Sequence, residues 1–296
     1  MKKALIIYFT GTYNTRFLVQ EFAKRLEKNE YNVNFTEVKE GTEVVHLNDY
    51  DLITISYPIY AFNIPSFFMK YLKKIKYLNN KKYLILKQSG EPLPLNNASS
   101  RKLIRIFRKN KITNYSEYHF LLPYNIHFRF EDEFSRELLY SNEKLFDIVL
   151  EELKQGLNTQ IKSNIFYNLN AWMLSIQGIG GKINSFLYKV DENKCIKCNK
   201  CVKICPVNNI YIKDGKIKFH HKCLMCMRCS MYCPKDAFSI GFINSWKVNG
   251  PYNLEKMNNE KSENDQFVIK HKDEFYKIYI EYLEKIKEKH KYYFNN

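Results

Sequence analysis

All eight cysteines of this 296-residue chain fall in two runs. The first is CIKCNKCVKICP, from Cys195 to Pro206, and the second is CLMCMRCSMYCP, from Cys223 to Pro234. Each reads C-x2-C-x2-C-x3-C-P. Three thiolates at successive three-residue steps can close round one cubane, while the fourth is carried on by the chain to a second cluster. The proline behind it fixes φ and removes a backbone donor, which turns the chain away. The spacing therefore predicts two 4Fe–4S clusters with crossed ligation. Cys195, Cys198, Cys201 and Cys233 hold the first, and Cys223, Cys226 and Cys229 with Cys205 hold the second. Two zinc sites are the alternative, because paired C-x2-4-C knuckles also supply four ligands per ion.

Between the runs, NIYIKDGKIKFH reads as a hairpin turning at Asp214-Gly215. His220 and His221 precede Cys223 and are read as solvated loop residues, since eight thiolates already complete two cubanes. Ile196, Val202, Ile204, Leu224, Met225 and Met227 are apolar and can keep water from the clusters. From Asp191 to Cys233 there are nine Lys/Arg and three acids, a balance that favours the more negative reduced cluster. Residues 190–242 resemble a bacterial two-cluster ferredoxin, a small α+β domain.

Clusters carry single electrons, so the first part of the chain should hold their partner. KALIIYF (Lys3–Phe9), DLITISYP (Asp51–Pro58), KKYLILKQ (Lys81–Gln88) and YHFLLP (Tyr118–Pro123) are short apolar runs without alternation, as in strands buried on both faces. YNVNFTEV alternates and reads as an edge strand. Helical stretches separate them: RFLVQEFAKRLEK, Ser66–Tyr77 and Ser99–Asn110. The alternation predicts an α/β fold with a doubly wound, five-stranded parallel sheet, which takes ligands at the carboxyl ends of its strands.

Three loops occupy those ends. Thr10, Gly11, Thr12, Tyr13, Asn14 and Thr15 pack hydroxyls and an amide before a helix start, a phosphate cradle in which backbone N–H groups and the helix dipole add to the side chains. A plain N-cap would need only one of them. SYPIYAFNIP (Ser56–Pro65) offers Tyr60, then Tyr57, to stack on a flat ring, although such tyrosines can equally cap the core. Gln88, Ser89 and Gly90 open the third loop and could line a ring edge.

Together the three loops resemble a flavodoxin over Lys2 to Pro123. Thr10, Thr12, Asn14 and Thr15 match the family's phosphate loop, and Tyr13 stands where it usually has glycine. The resemblance implies FMN, and the absence of a G-x-G-x-x-G turn argues against a dinucleotide. With LPYNIHFRF (Leu122–Phe130) and WKVNG (Trp246–Gly250), the whole is similar to the flavodoxin–ferredoxin fusion proteins of anaerobic bacteria. That resemblance implies an electron carrier passing electrons between FMN and two 4Fe–4S clusters. A ferredoxin with an empty flavodoxin-like docking module and a flavin-dependent reductase of a small oxidised substrate are the other readings.

The expected organisation is a flavodoxin-like domain at 1–125, a helical connection at 126–190, the ferredoxin domain at 191–243 and a helical tail at 244–296. In the connection, GIGGK (Gly178–Lys182) fails Walker spacing because Ile176 occupies the first glycine position; a hinge or packing point is expected. The tail places Val268, Phe275, Tyr279, Tyr282 and Ile286 near helical period and should dock on the body.

Composition limits the remaining options. A hydrophobic fraction of 45% supports a sizeable core. MKKALIIYFT lacks a small-residue cleavage site, and no stretch reaches the ~20 apolar residues of a membrane helix. A cytoplasmic protein is expected, whose cysteines serve metal rather than disulfides. The net charge is +16, with thirteen Lys/Arg and one acid between Asn63 and Ile112. Such a stretch can be an ordinary solvated face or can steer an acidic redox protein or small electron acceptor. No nucleic-acid recognition motif accompanies it.

Overall fold

The computed structural model describes residues 1–271 and 273–294, with the side chains of residues 177–179 outside the description. Lys272, Asn295 and Asn296 of the expected tail lie outside the described residues.

The first part runs β1 (Lys2–Tyr8), α1 (Asn14–Lys28), β2 (Tyr31–Glu37), β3 (Leu52–Pro58), α2 (Ser66–Leu72), β4 (Lys82–Ser89), α3 (Arg101–Lys109) and β5 (Tyr115–Leu121). The strands form one sheet in the order β2-β1-β3-β4-β5, every pair parallel. This is the flavodoxin-like winding. Its two faces follow from the period of two along each strand. Ala4, Ile6 and Tyr8 point into a core shared with α1 and with α4 (Asp132–Lys154), whereas Leu5, Ile7 and Phe9 point into one shared with α2 and α3. The edge strand β2 is half exposed, as its alternation requires.

Three boundaries differ from expectation. β5 starts at Tyr115 rather than Tyr118, because Ser116 and Glu117 read as polar yet are buried. Glu117 accepts from the Lys87 ammonium at 2.8 Å, with both side chains fully enclosed, so each charge neutralises the other. The second helix ends at Leu72, and a 3-10 turn over Pro94–Ser100 leads into α3.

The chain continues through α4, α5 (Ile165–Leu174) and α6 (Gln177–Asn184) to β6 (Tyr188–Val190) and α7 (Lys200–Ile204). There follow the hairpin β7 (Ile210–Lys213) and β8 (Lys216–Phe219), α8 (Arg228–Met231) and β9 (Phe238–Ile240). The hairpin turns at Asp214 and Gly215, both at positive φ. β6 pairs antiparallel with β9, so Tyr188–Val190, expected in the connection, belongs to the small cysteine-bearing unit. Gly181 of α6 gives close packing rather than a phosphate turn: a Cβ there would lie 2.6 Å from the Met225 sulfur. The tail forms α9 (Leu254–Glu260), α10 (Phe267–Lys270) and α11 (Glu274–Phe294). Val268, Tyr279 and Ile286 dock it into the α1/α4 core.

Candidate cofactor site

The eight thiols gather around two cavities. One is lined by Cys205, Cys223, Cys226 and Cys229, the other by Cys195, Cys198, Cys201 and Cys233. Each cavity thus takes three cysteines from one run and the fourth from the other. The runs are near copies in backbone as well as in sequence. Lys197 and Asn199 in the first, and Met225 and Met227 in the second, hold positive φ at matching positions. Non-glycine residues adopt that region at a cost of order 1 kcal/mol each, and here it wraps three thiols round one centre.

The donors suit a cluster. Backbone amides of Asn209, Met225 and Ala237 donate to the sulfurs of Cys205, Cys223 and Cys233 at 3.2–3.3 Å. The Tyr188 hydroxyl, beside the first cavity, is buried next to the Cys223 sulfur and can donate to it. Burial pushes the Cys201 thiol up to about 11, that of Cys223 to about 12 and that of Cys229 well above its ordinary value. As thiols these groups stay neutral, and they would serve as thiolate ligands only beside the positive charge of a bound metal. Among the described residues, no three His, Cys, Asp or Glu converge on the position of a single ion.

The second feature is the loop between β1 and α1. Thr10, Gly11, Thr12, Asn14 and Thr15 are all buried. Among the described residues, nothing accepts from the backbone amides of Gly11, Thr12, Asn14 and Thr15. The Thr10 hydroxyl is likewise buried and unpartnered. Unpaired donors at the head of a fifteen-residue helix fit an anion such as a phosphate. Gln88 joins the cluster by donating to Thr15 Oγ1 at 3.2 Å, and Asn14 is anchored on the Pro123 carbonyl at 2.8 Å.

The small unit sits directly on this loop. Arg228, in α8 between Cys226 and Cys229, is 2% exposed and donates to the carbonyls of Thr10, Gly11 and Ile204. Tyr232 donates to the Thr12 carbonyl at 3.2 Å. Tyr13 adopts φ 69°, so this position does take the conformation for which glycine is favoured. A Cβ on Gly11 would overlap the Tyr60 hydroxyl and lie 3.2 Å from the Cys226 carbonyl.

The aromatic expectations need correction. Tyr57 is fully buried beside Phe68, with its hydroxyl 3.4 Å from Ser99, and caps the core rather than facing a ring. Tyr60 meets Phe9 edge to face, and its buried hydroxyl reaches the loop between β1 and α1 beside Asn125. Gly90 is packed under the Tyr124 ring, and its carbonyl accepts from Tyr279. Ser89 is bound to the Glu91 carbonyl and to His119. Behind the second and third loops lies α5, which rests on the Pro94–Ser100 turn, while Asn63 donates to the Ala171 carbonyl at 2.8 Å. His220 and His221 are exposed, as expected, and stack on Tyr211 and Phe186.

Arg228 and Tyr232 were not legible as site residues. Arg228 occupies the place of Lys200 in the first run, and only its contact with the loop marks it out.

A family model described as a 4Fe-4S binding domain matches residues 188–211. No curated protein matches the chain. Among solved structures, the chain is similar to a short-chain flavodoxin associated with a non-canonical PDU bacterial microcompartment. Identity is 17% over 53% of this chain and 100% of that one, with a TM-score of 0.39. It is also similar to a flavodoxin of Streptococcus pneumonia TIGR4, at 14% identity over 59% and 99% of the two chains, with a TM-score of 0.33. A third is the rubredoxin oxygen:oxidoreductase of the anaerobe Desulfovibrio gigas, at 12% identity over 53% of this chain and 37% of that one, with a TM-score of 0.36. The flavodoxin-like assignment rests on the strand order and parallel register described above.

Proposed function

We propose that this chain, which joins a flavodoxin-like domain to a ferredoxin-type domain, is an electron-transfer protein carrying two 4Fe–4S clusters and FMN. The observation that carries this reading is the contact between the two features. The cavity of Cys205, Cys223, Cys226 and Cys229 abuts the anion-ready loop through Cys226 and Arg228. When bound, the clusters supply one-electron steps and FMN one- or two-electron steps, so their union divides pair transfer into single transfers.

The residues of the chain have distinct parts in this scheme. Eight cysteines hold the clusters in crossed sets, and the amides of Asn209, Met225 and Ala237 orient and tune their sulfurs. Thr10 Oγ1 and the amides of Gly11, Thr12, Asn14 and Thr15 bind the FMN phosphate, and the Tyr60 hydroxyl donates to the same anion. Burial keeps that phenol protonated. Arg228 fixes the cluster loop to the phosphate loop and places a cation beside Cys226. An acidic redox protein or a small electron acceptor completes the scheme. No described helix is long and apolar enough to cross a membrane.

One observation favours a second reading. Tyr60 and Cys226 cover Gly11, which suits a flavodoxin-like domain serving only to dock the ferredoxin unit. Anaerobic purification with an absorption spectrum and iron and flavin assays separates the two. About eight irons with stoichiometric FMN is the expected result. Iron without flavin, even after incubation with FMN, leaves the docking module. Stoichiometric zinc without iron overturns both.

A further inference from the structure

We infer that the rim of the cavity formed by Cys195, Cys198, Cys201 and Cys233 is the docking surface for an acidic one-electron protein. The inference rests on the cluster reading above and assigns its outer terminal.

The two cavities differ in access. Around the inner one, Cys226, Met227, Arg228 and Ser230 are buried, with Arg228 and Cys226 held against the flavodoxin-like domain. At the outer one, Cys198 is exposed and Ile196 is 56% exposed. Lys197, Lys200 and Lys235 line this outer cavity, and Lys194 and Lys203 flank its ligands in sequence; all five are exposed. The nearby acids do not cancel them. Glu192 is paired with Lys216 at 3.0 Å, and Asp236 is held by Lys247 and Asn249. Among the described residues, Lys194, Lys197, Lys203 and Lys235 make no ion pair. Exposed Asp191 offsets one of the five lysines, which leaves an apolar centre at Ile196 on a rim of net positive charge.

That arrangement suits a brief encounter. A small apolar contact over the metal centre sets distance, and the charged ring sets orientation and association rate. In the exchange one electron is lost on this side and gained by the partner's oxidised centre; no bond and no proton moves. The basic stretch between Asn63 and Ile112 is a poorer candidate. Its exposed cations on α3 lie on the α2/α3 face of the sheet, and none of them lines a thiol cavity.

The test uses anaerobically prepared, full-length holoprotein and, as probe, a plant-type 2Fe–2S ferredoxin of net negative charge. Binding affinity is measured across a salt series for three proteins. They are wild type, a rim variant with Lys194, Lys197, Lys203 and Lys235 changed to Gln, and an α3 variant with Arg101, Lys102, Arg105, Arg108 and Lys109 changed to Gln. Iron is assayed on each preparation. The rim variant should keep its iron and bind roughly tenfold more weakly at low salt. The difference should vanish near 1 M salt, where the screening length is ~3 Å. The α3 variant should bind like wild type. An iron-replete rim variant with wild-type affinity, or the loss appearing in the α3 variant instead, overturns the docking surface alone. Wild type that takes up no iron overturns the cluster reading and this inference with it.

Discussion

Tyr13 holds a left-handed φ of 69° while its ring lies 4.3 Å from the guanidinium of Arg228. Tyr232 closes on the same ring edge to face at 5.2 Å. A bulky residue at this φ costs about 1–2 kcal/mol relative to glycine. The ring offsets that cost by packing against the cysteine-bearing unit. The departure from the flavodoxin loop is thereby explained as an interdomain clasp.

A double-mutant cycle tests the clasp. Arg228→Ala should cost about 2–4 kcal/mol, because three buried carbonyls lose their donor. Tyr13→Gly should be close to neutral, since relief of strain balances the lost ring contact. The coupling between them should be about 0.5–2 kcal/mol in urea unfolding. Additivity of the two changes would show that ring and guanidinium do not act together.

The proposed crossed ligation makes Cys205 the informative cysteine. Cys205→Ser should spare the cavity of Cys195, Cys198, Cys201 and Cys233 and damage the one lined by Cys223, Cys226 and Cys229. Iron should fall from about eight to about four per chain. The surviving cluster should be the outer one, whose magnetic resonance signal responds to Lys197→Gln rather than to Arg228→Lys. A surviving signal that responds to Arg228 instead would reverse the assignment.

Thr10 is the sharper probe of the phosphate loop. Its hydroxyl has no partner among the described residues, whereas Thr15 already receives Gln88. Thr10→Ala should leave stability nearly unchanged and weaken FMN binding by about 1–3 kcal/mol. Isothermal titration of FMN into the flavin-free holo-cluster protein measures it. Equal affinity in the variant would remove Thr10 from the site.

Much of this architecture was legible in the sequence because its determinants are local. The unbroken apolar runs fix the buried strands, and the cysteine spacing anticipates which four thiols line each cavity. What escaped was non-local. Tyr115–Glu117 does not read as part of β5, because Glu117 looks polar and exposed without Lys87 as its buried partner. Tyr57 lies near the end of β3 and Gly90 just after β4, at the carboxyl ends expected of a site, yet their directions depend on Phe68, Tyr124 and α11. Arg228 looked like one more cation in a basic segment. Its role exists only through the placement of one domain on the other.

Stability should depend on pH through a buried imidazole. His119 on β5 is opposite Lys87 in the register, and its ring meets Ser89 Oγ at 2.7 Å. Burial, then the neighbouring Lys87 charge, holds its pKa down to about 3, against an ordinary 6.5. Between those values the unfolded chain takes up a proton that the folded chain refuses. The stability linked to His119 is therefore present above about pH 6.5 and lost on acidification, with a limiting slope of about 1.4 kcal/mol per pH unit. Glu137 acts in the opposite sense. Burial raises its carboxyl to about 7 from 4.5, so its contribution is lost as pH rises through that interval. The two windows overlap, and the effect of His119 must be read as a difference from His119→Gln. Urea unfolding at pH 7 and near pH 5 should show wild type losing about 1–2 kcal/mol relative to the variant. Parallel stability curves would mean that the imidazole charges freely in the folded chain and that its enclosure does not oppose protonation.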